Sequence, residues 1–306
     1  MTFLRSTYLR CRCSLMSTSW PVRRRTNLQN VLHEEHELLG GCFDETHDTG
    51  LLGPRSYHAP SSSADPFDQG AALCDLSGCL ALMFSGEAAT SFAETALSGR
   101  KLGVGECALE ASLLGDGALA SMPLCARSAE AEYLVWDFSP RSDTLDAWLS
   151  FLSRVDQGGV KPFEGLACTD LGDEFVSLLL AGPKAAEVLT DYLGEGQALP
   201  SDGGVANLVL DGRIPAIALH HQVGDLDCQL LLVAPRHARV IWRSLLSFSE
   251  VSPVGYLDLF DRASRELAPL GLLASTDRIV VEGSVLRSSG LTRRGWDFVG
   301  TRGLVG

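Results

Sequence analysis

The chain has 306 residues, 45% of them hydrophobic and 21% charged, with a formal net charge of −13 at pH 7. That length can bury the core of about one to three domains, and no apolar run is long enough for a membrane-spanning helix. The acidic balance argues against a nucleic-acid surface, because phosphate contacts need clustered Lys and Arg. Residues 1–26 break the pattern, with Arg5, Arg10, Arg12, Arg23, Arg24 and Arg25 and no acid. They lack apolar periodicity and read as disordered or as an over-long start, with Met16 as the initiator; an organellar transit peptide is the alternative. The nine cysteines are scattered singly apart from Cys11-x-Cys13. That usage points to reduced thiols and a cytoplasmic setting.

From there the elements follow in order. Asn27–Leu39 has a partial helical stripe of Leu28, Val31, Leu32 and Leu39, and residues 50–70 read as a Pro-, Ser- and Gly-rich loop. Residues 82–97 combine a short apolar run, a break at Gly86 and a helical stripe of Ala89, Phe92, Ala93 and Ala96. Cys107–Leu114 reads as a strand turning at Gly115-Asp116-Gly117 into Ala118–Cys125. The strand–turn–helix plan returns at 133–152, with Leu145, Trp148, Leu149 and Leu152 after Pro140. It returns again at 178–193, where Gly182-Pro183 precedes Ala185, Val188, Leu189 and Tyr192, and Pro183 suits a first helical turn. Asp211-Gly212 marks a hairpin between 205–210 and 214–219. A fourth unit runs over 229–246, with Ala238, Ile241, Trp242 and Leu245 after Pro235. Residues 258–267 suggest a helix, 279–281 a strand and 287–306 a flexible tail. The fold class is therefore α+β, in two related ferredoxin-like-type lobes of about 27–153 and 154–286.

Isolated motifs carry little chemistry. His33-Glu34-Glu35-His36 spaces its histidines three apart, where a zinc-protease helix needs four. His220-His221 on a strand would face opposite sides, which is awkward for a shared metal. No phosphate-cradling GxGxxG, Walker or GxSxG pattern is present. The residues alone lead to an α+β protein with no metal site.

A set of ordered segments resembles the glycine-cleavage T-protein, or aminomethyltransferase, and its folate-binding relatives. Ala72-Leu73-Cys74-Asp75-Leu76-Ser77 is similar to the family's G-L-F-D-V-S, and Phe84-Ser85-Gly86-Glu87-Ala88-Ala89 to V-x-G-P-D-A-A. Leu114–Leu119 parallels N-x-x-G-G-I-L, Tyr133–Asp137 parallels Y-L-V-V-N, and Leu180–Ala186 is similar to Q-G-P-K-A-A. Val223-Gly224-Asp225 stands where the family has T-G-E, and Ala274–Glu282 where it has A-R-D-x-L-R-L-E. The resemblance runs from about 27 to 286 and implies the T-protein folate-binding fold. The family's terminal barrel, which would follow Gly306, has no counterpart here.

The resemblance also implies tetrahydrofolate as cofactor, a small folate-like molecule as ligand, and a lipoylated carrier protein as partner for an active enzyme. The family's reaction needs an acid near the folate N10, a carboxylate for the pterin N–H edge, and an arginine and an aromatic to hold the rings. At the matching positions the acidic pair becomes Ala120-Ser121, the tyrosine Gln222, the carboxylate Gln229 and the arginine Val280; the N-A-A-N turn becomes Asp137-Phe138-Ser139-Pro140. The iron–sulphur maintenance relatives' K-G-C-x-x-G-Q-E stretch is absent. No catalytic residue is carried over. Asp75, Asp137, Gln222, Asp225 and Gln229 are the candidate substrate-binding residues, and tetrahydrofolate is expected to be held weakly. The first reading is an aminomethyltransferase-like binding protein with activity lost or altered. The alternative is an active tetrahydrofolate-dependent one-carbon transferase whose groups have moved to Asp75, Asp137 or Asp225.

Overall fold

The computed structural model describes residues 30–43, 51–58, 65–267 and 278–304. The basic leader lies outside them, as do residues 274–277 of the 274–282 match. In chain order the described elements begin with α1 (His33–Leu38), β1 (Gly41–Cys42), β2 (Ser56–Tyr57), α2 (Pro66–Gln69) and β3 (Ala71–Asp75). Next come β4 (Leu80–Ser85), α3 (Ala89–Ala96), β5 (Glu106–Leu109), β6 (Ser112–Leu113), β7 (Leu119–Ser121), β8 (Leu124–Ala129), β9 (Glu132–Asp137), α4 (Ser142–Ser153) and β10 (Ala167–Asp170). Then follow β11 (Val176–Ala181), α5 (Ala185–Thr190), β12 (Gly204–Leu210), β13 (Ile214–Val223), β14 (Leu226–Val233), α6 (Pro235–Leu245), β15 (Val251–Pro253), α7 (Tyr256–Glu266) and α8 (Gly283–Ser288).

These elements form two compact units interleaved in sequence. The first draws on Leu80–Leu171 and Leu270–Gly306, the second on Arg25–Cys79 and Gly172–Pro269. Contiguous lobes would have divided the chain near 153. Instead β3 pairs with β11, which assigns the early segment to the later half of the chain.

In the first unit the strands run β10-β4-β9-β8-β5, each pair antiparallel. In the second they run β12-β13-β14-β11-β3-β15, antiparallel except for the parallel β3–β15 pair. The same plan therefore occurs twice: β4-α3-β5-β8-β9-α4 matches β11-α5-β12-β13-β14-α6 in chain order and in strand neighbours. All four strand–turn–helix units expected from periodicity are present. Their stripes are buried as the 3.6-residue period requires, Ala89, Phe92, Ala93 and Ala96 with Leu145, Leu149 and Leu152 in one core. Ala185, Val188, Leu189 and Tyr192 join Ala238, Ile241, Trp242 and Leu245 in the other. Each fully buried Leu or Phe contributes about 1.5–3 kcal/mol.

The step from strand to helix is made by glycine. Gly86 has φ +100° and Gly182 φ +125°, a region that side chains with a Cβ disfavour. A Cβ on Gly86 would sit 2.3 Å from the Gly165 carbonyl oxygen, and one on Gly182 2.7 Å from that of Gly70. Pro183 lies in the turn between Gly182 and Ala185, not in the helix, because the Ala185 N–H closes that turn on the Gly182 oxygen. Pro at the second position presets such a turn.

Three further expectations are corrected. The single strand over 107–114 is broken: β5 pairs with β8, β6 with β7, and the Glu110 N–H donates to the Pro123 oxygen at the bend. Residues 279–281 supply only a bridge between Ile279 and Leu119. The tail folds against the first unit: α8 lies there, and the Arg293 guanidinium caps the end of α3 through the Leu97, Gly99 and Glu94 oxygens. Arg and Lys near a helix C-terminus satisfy carbonyls that have no helical partner.

Beside this cap Glu110 is 3% exposed. Burial pushes its carboxyl up to about 8 against the pull of Arg293, the Gly99 backbone and Arg100.

Replacing Gly86 or Gly182 by alanine should cost about 1–3 kcal/mol each, from the strained backbone and the displaced carbonyl; urea unfolding measures it, and unchanged stability would contradict the close approach. Glu110 gives a pH signature. Its folded pKa is raised, so its contribution is fully present below the ordinary 4.5 and is lost as pH rises to about 8. Stability of the unaltered chain relative to Glu110→Gln should therefore fall across that window, with a slope approaching about 1.4 kcal/mol per pH unit.

Candidate functional site

The second unit gathers most of the polar residues singled out from sequence, and the β13–β14 hairpin sets their arrangement. Its two-residue turn, Gly224-Asp225, places Val223 opposite Leu226. Every later pair follows from that register: Gln222 faces Asp227 and His220 faces Gln229. The turn is held from outside by α7. The Asp225 N–H donates to Glu266 Oε2 at 3.1 Å, and Arg262 pairs with the same glutamate. Gly224 has φ +59°, where side chains are rarely at ease, and a Cβ there would have to displace Glu266 Oε2, 2.1 Å away.

Side chains at 227, 229, 231 and 233 share one face of β14. Leu231 and Val233 lie in the core beneath α5 and α6, so Gln229 belongs to the face that carries the helices and is 1% exposed. Its Nε2 donates to Asp227 Oδ1 at 3.3 Å. The same carboxylate oxygen lies 2.9 Å from His220 Nε2, and His220 Nδ1 lies 3.1 Å from the Pro200 oxygen. A chain of contacts thus runs from Pro200 through His220 and Asp227 to Gln229. It ends on Gln229 Oε1, which is buried and has no hydrogen-bond partner among the described residues.

Asp227 decides which way the amide faces. Only the NH₂ end can donate to a carboxylate, so the carbonyl end is the unused one. A buried acceptor without a donor costs about 1–3 kcal/mol, and such a group calls for a specific explanation. Chemically the site can accept one hydrogen bond from a ligand N–H or O–H. It offers no group on Gln229 that can lose or gain a proton.

Asp75 is built differently. It ends β3, 2% exposed, and its four bonds are made: Asn30 Nδ2 at 2.8 Å, His36 Nε2 at 2.9 Å, the Ser77 N–H at 2.9 Å and the Ser77 hydroxyl at 2.6 Å. His36, fully buried, reaches Tyr57 Oη through Nδ1 at 2.7 Å and meets the Trp242 ring edge-on at 4.7 Å. Burial alone would raise the Asp75 carboxyl; the His36, Ser77 and Asn30 donors outweigh it and hold it below the usual range. Burial, with the nearby Asp75 charge, raises the Tyr57 hydroxyl well above its ordinary value. His33 and His36 part company on α1, His33 facing Glu37 at 3.4 Å while His36 enters this network. Glu35 is gripped by Arg243 from α6. Asn30, α1 and Tyr57 are thereby fastened to β3 and α6.

In the first unit Asp137 ends β9. Its Oδ1 accepts from the Ser139 N–H at 2.9 Å and its Oδ2 from the Ser121 hydroxyl at 2.5 Å. Ser121 is 1% exposed and bonds Ser139 as well. Arg141 nearby donates to the Ala120 and Leu119 oxygens. Asp75-Leu76-Ser77 and Asp137-Phe138-Ser139 make the same turn at the ends of β3 and β9, each aspartate accepting from the N–H two residues on.

Of the five candidates, then, Gln229 is the buried centre. Gln222 and Asp225 are exposed on the same hairpin, with Gln222's N–H on Asp202 at 2.9 Å. Asp75 lies on the other side of β11 from β14, and Asp137 belongs to the first unit. Val280 is half exposed. His220 and Asp227 were missed, although a two-residue turn at 224–225 places both beside Gln229 by counting alone. His36 and Asn30 carry no such signal, since their distance from Asp75 in sequence is closed only by folding.

No family model and no curated protein matches the sequence. Among solved structures, the glycine cleavage system aminomethyltransferase T from Bartonella henselae matches with a TM-score of 0.68 and 19% identity, over 90% of this chain and 73% of that one. A heterotetrameric sarcosine oxidase from Corynebacterium sp. U-96, in complex with pyrrole 2-carboxylate, matches at a TM-score of 0.41 and 13% identity, over 72% of this chain and 93% of that one. The chain has the fold of the aminomethyltransferase T.

His36→Leu should destabilise the protein by about 3–5 kcal/mol, because it leaves a buried carboxylate short of a donor. Asp75→Asn on that background should recover part of the loss, and urea titration of the single and double variants reads the coupling.

Proposed function

We propose that this chain is an aminomethyltransferase-like binding protein, in which a T-protein-type folate fold persists while the transfer chemistry is lost or altered. The observation that carries this reading is Gln229. By the sequence resemblance it stands for the family's pterin-pairing carboxylate; it is buried, and its Oε1 is unpaired among the described residues. A single neutral acceptor can take one N–H from a folate-like heterocycle. It cannot take the two that a carboxylate accepts from an amidine-like edge.

The other support is chemical. The family's acidic pair is replaced by Ala120 and Ser121, and neither side chain can carry charge near N10. Ser121 is already committed to Asp137 and Ser139. General acid–base groups typically contribute about 10²–10⁴-fold to rate, so their loss removes most of the expected transfer. Hydrogen bonds to charged partners are worth about 1.5–3 kcal/mol each. Two such losses weaken tetrahydrofolate by about two or more orders of magnitude. No described helix is long and apolar enough to cross a membrane.

Calorimetry with tetrahydrofolate, beside a transfer assay with a lipoylated carrier protein, tests this reading. Binding weaker than micromolar, reduced further by Gln229→Leu, with no aminomethyl transfer, is the expected result. Turnover at the level of an ordinary T-protein, or submicromolar folate binding abolished by Asp137→Ala or Asp225→Ala, would instead support a working one-carbon transferase.

A further inference from the structure

The polar cluster on the β13–β14 hairpin also limits which ligand it can take. Residues opposite one another on paired strands, and residues two apart along one strand, share a face of the sheet. Four side chains therefore border Gln229 on its face. Leu180 stands opposite on β11 and His220 opposite on β13, while Asp227 and Leu231 flank it along β14. Leu180 and Leu231 are fully buried and have no polar side-chain atom to offer. Asp227 Oδ1 takes the Gln229 amide at 3.3 Å and lies 2.9 Å from His220 Nε2, so the imidazole is engaged with the carboxylate. None of the four donates to Gln229 Oε1. A group that completes this acceptor has to bring an N–H or O–H of its own.

The same carboxylate restricts what residue 229 can be. A second carboxylate in place of the amide would face Asp227 across about the 3.3 Å that now separates the amide nitrogen from it, and like charges that close do not both ionise readily. An amide avoids the conflict, because its NH₂ end turns to Asp227 and leaves a neutral oxygen at the other end. Asp227 thus selects the amide and sets its direction.

We propose that Asp227 is the residue that sets ligand specificity at this site, and that the ligand class is a ring lactam or carboxamide presenting one neutral N–H to Gln229. An edge with two adjacent N–H groups gains nothing there from its second donor. The inference rests on the folate-like reading above and adds which edge of the ring the site can distinguish.

The test compares tetrahydrofolate, whose N3–H and 2-amino group form a two-donor edge, with its analogue in which methyl replaces the 2-amino group. By calorimetry the unaltered chain should bind the two within about threefold, because one acceptor meets one donor in either case. Gln229→Glu alone should keep that ratio. Gln229→Glu combined with Asp227→Asn should prefer tetrahydrofolate by about tenfold or more, since a charged acceptor can then take both donors. A tenfold preference in the unaltered chain, or in Gln229→Glu alone, overturns the proposal. The amide direction is read without ligand, from the side-chain NH₂ signal of Gln229 in nitrogen-15-labelled protein, identified by its loss in Gln229→Leu. Asp227→Asn should shift that signal, and an unmoved signal overturns the role of Asp227 whatever binds. Failure of both compounds to bind at about 1 mM would overturn the folate reading and the ligand class with it, while the NH₂ signal still decides whether Asp227 sets the amide.

Discussion

The architecture turns on one backbone event, made twice. A buried strand must leave its sheet and return at once as a helix on the sheet's own apolar face. The turn that does this passes under a carbonyl oxygen from a neighbouring segment. At Gly86 and Gly182 the space for a Cβ is already taken by such an oxygen, and the φ values lie where only glycine is at ease. Once the step is made, the helical stripe has one surface to cover, and the order of the remaining strands follows in each unit.

That step also decides the electrostatics of the interior. Helices over one sheet face remove water from every polar group that shares the face, so each such group needs a partner within the protein. Asp75 meets the requirement completely, with four donors gathered from α1, its own turn and the segment before α1. Glu110 meets it by retaining its proton up to about pH 8. Gln229 meets it on one side only. The contrast separates carboxylates that build the protein from an amide left with an acceptor to offer.

Conservation of a backbone plan does not carry its chemistry along, because the groups that react are few and lie at positions the fold does not need. Ala120 and Ser121 are both nearly inaccessible, and the β6–β7 register shifts between Ser112 and Leu113, skipping Ala120. Function in this chain has to be argued from the atoms present at Gln229 and Ser121.

Periodicity by itself determined the four strand–turn–helix units, because a helix and a strand bury their side chains with different periods and a glycine marks the change between them. The Asp211-Gly212 hairpin was legible for the same local reason, and so was the register that joins His220, Asp227 and Gln229 once Gly224-Asp225 is read as a two-residue turn. Tertiary structure alone decided what lies far apart in sequence. The pairing of β3 with β11 interleaves the two units, Asn30 and His36 close on Asp75, and Arg293 caps α3 from nearly 200 residues away. No local pattern encodes these contacts: their partners share neither a helix turn nor a hairpin, and each bond is set only when the packed core brings its two ends together.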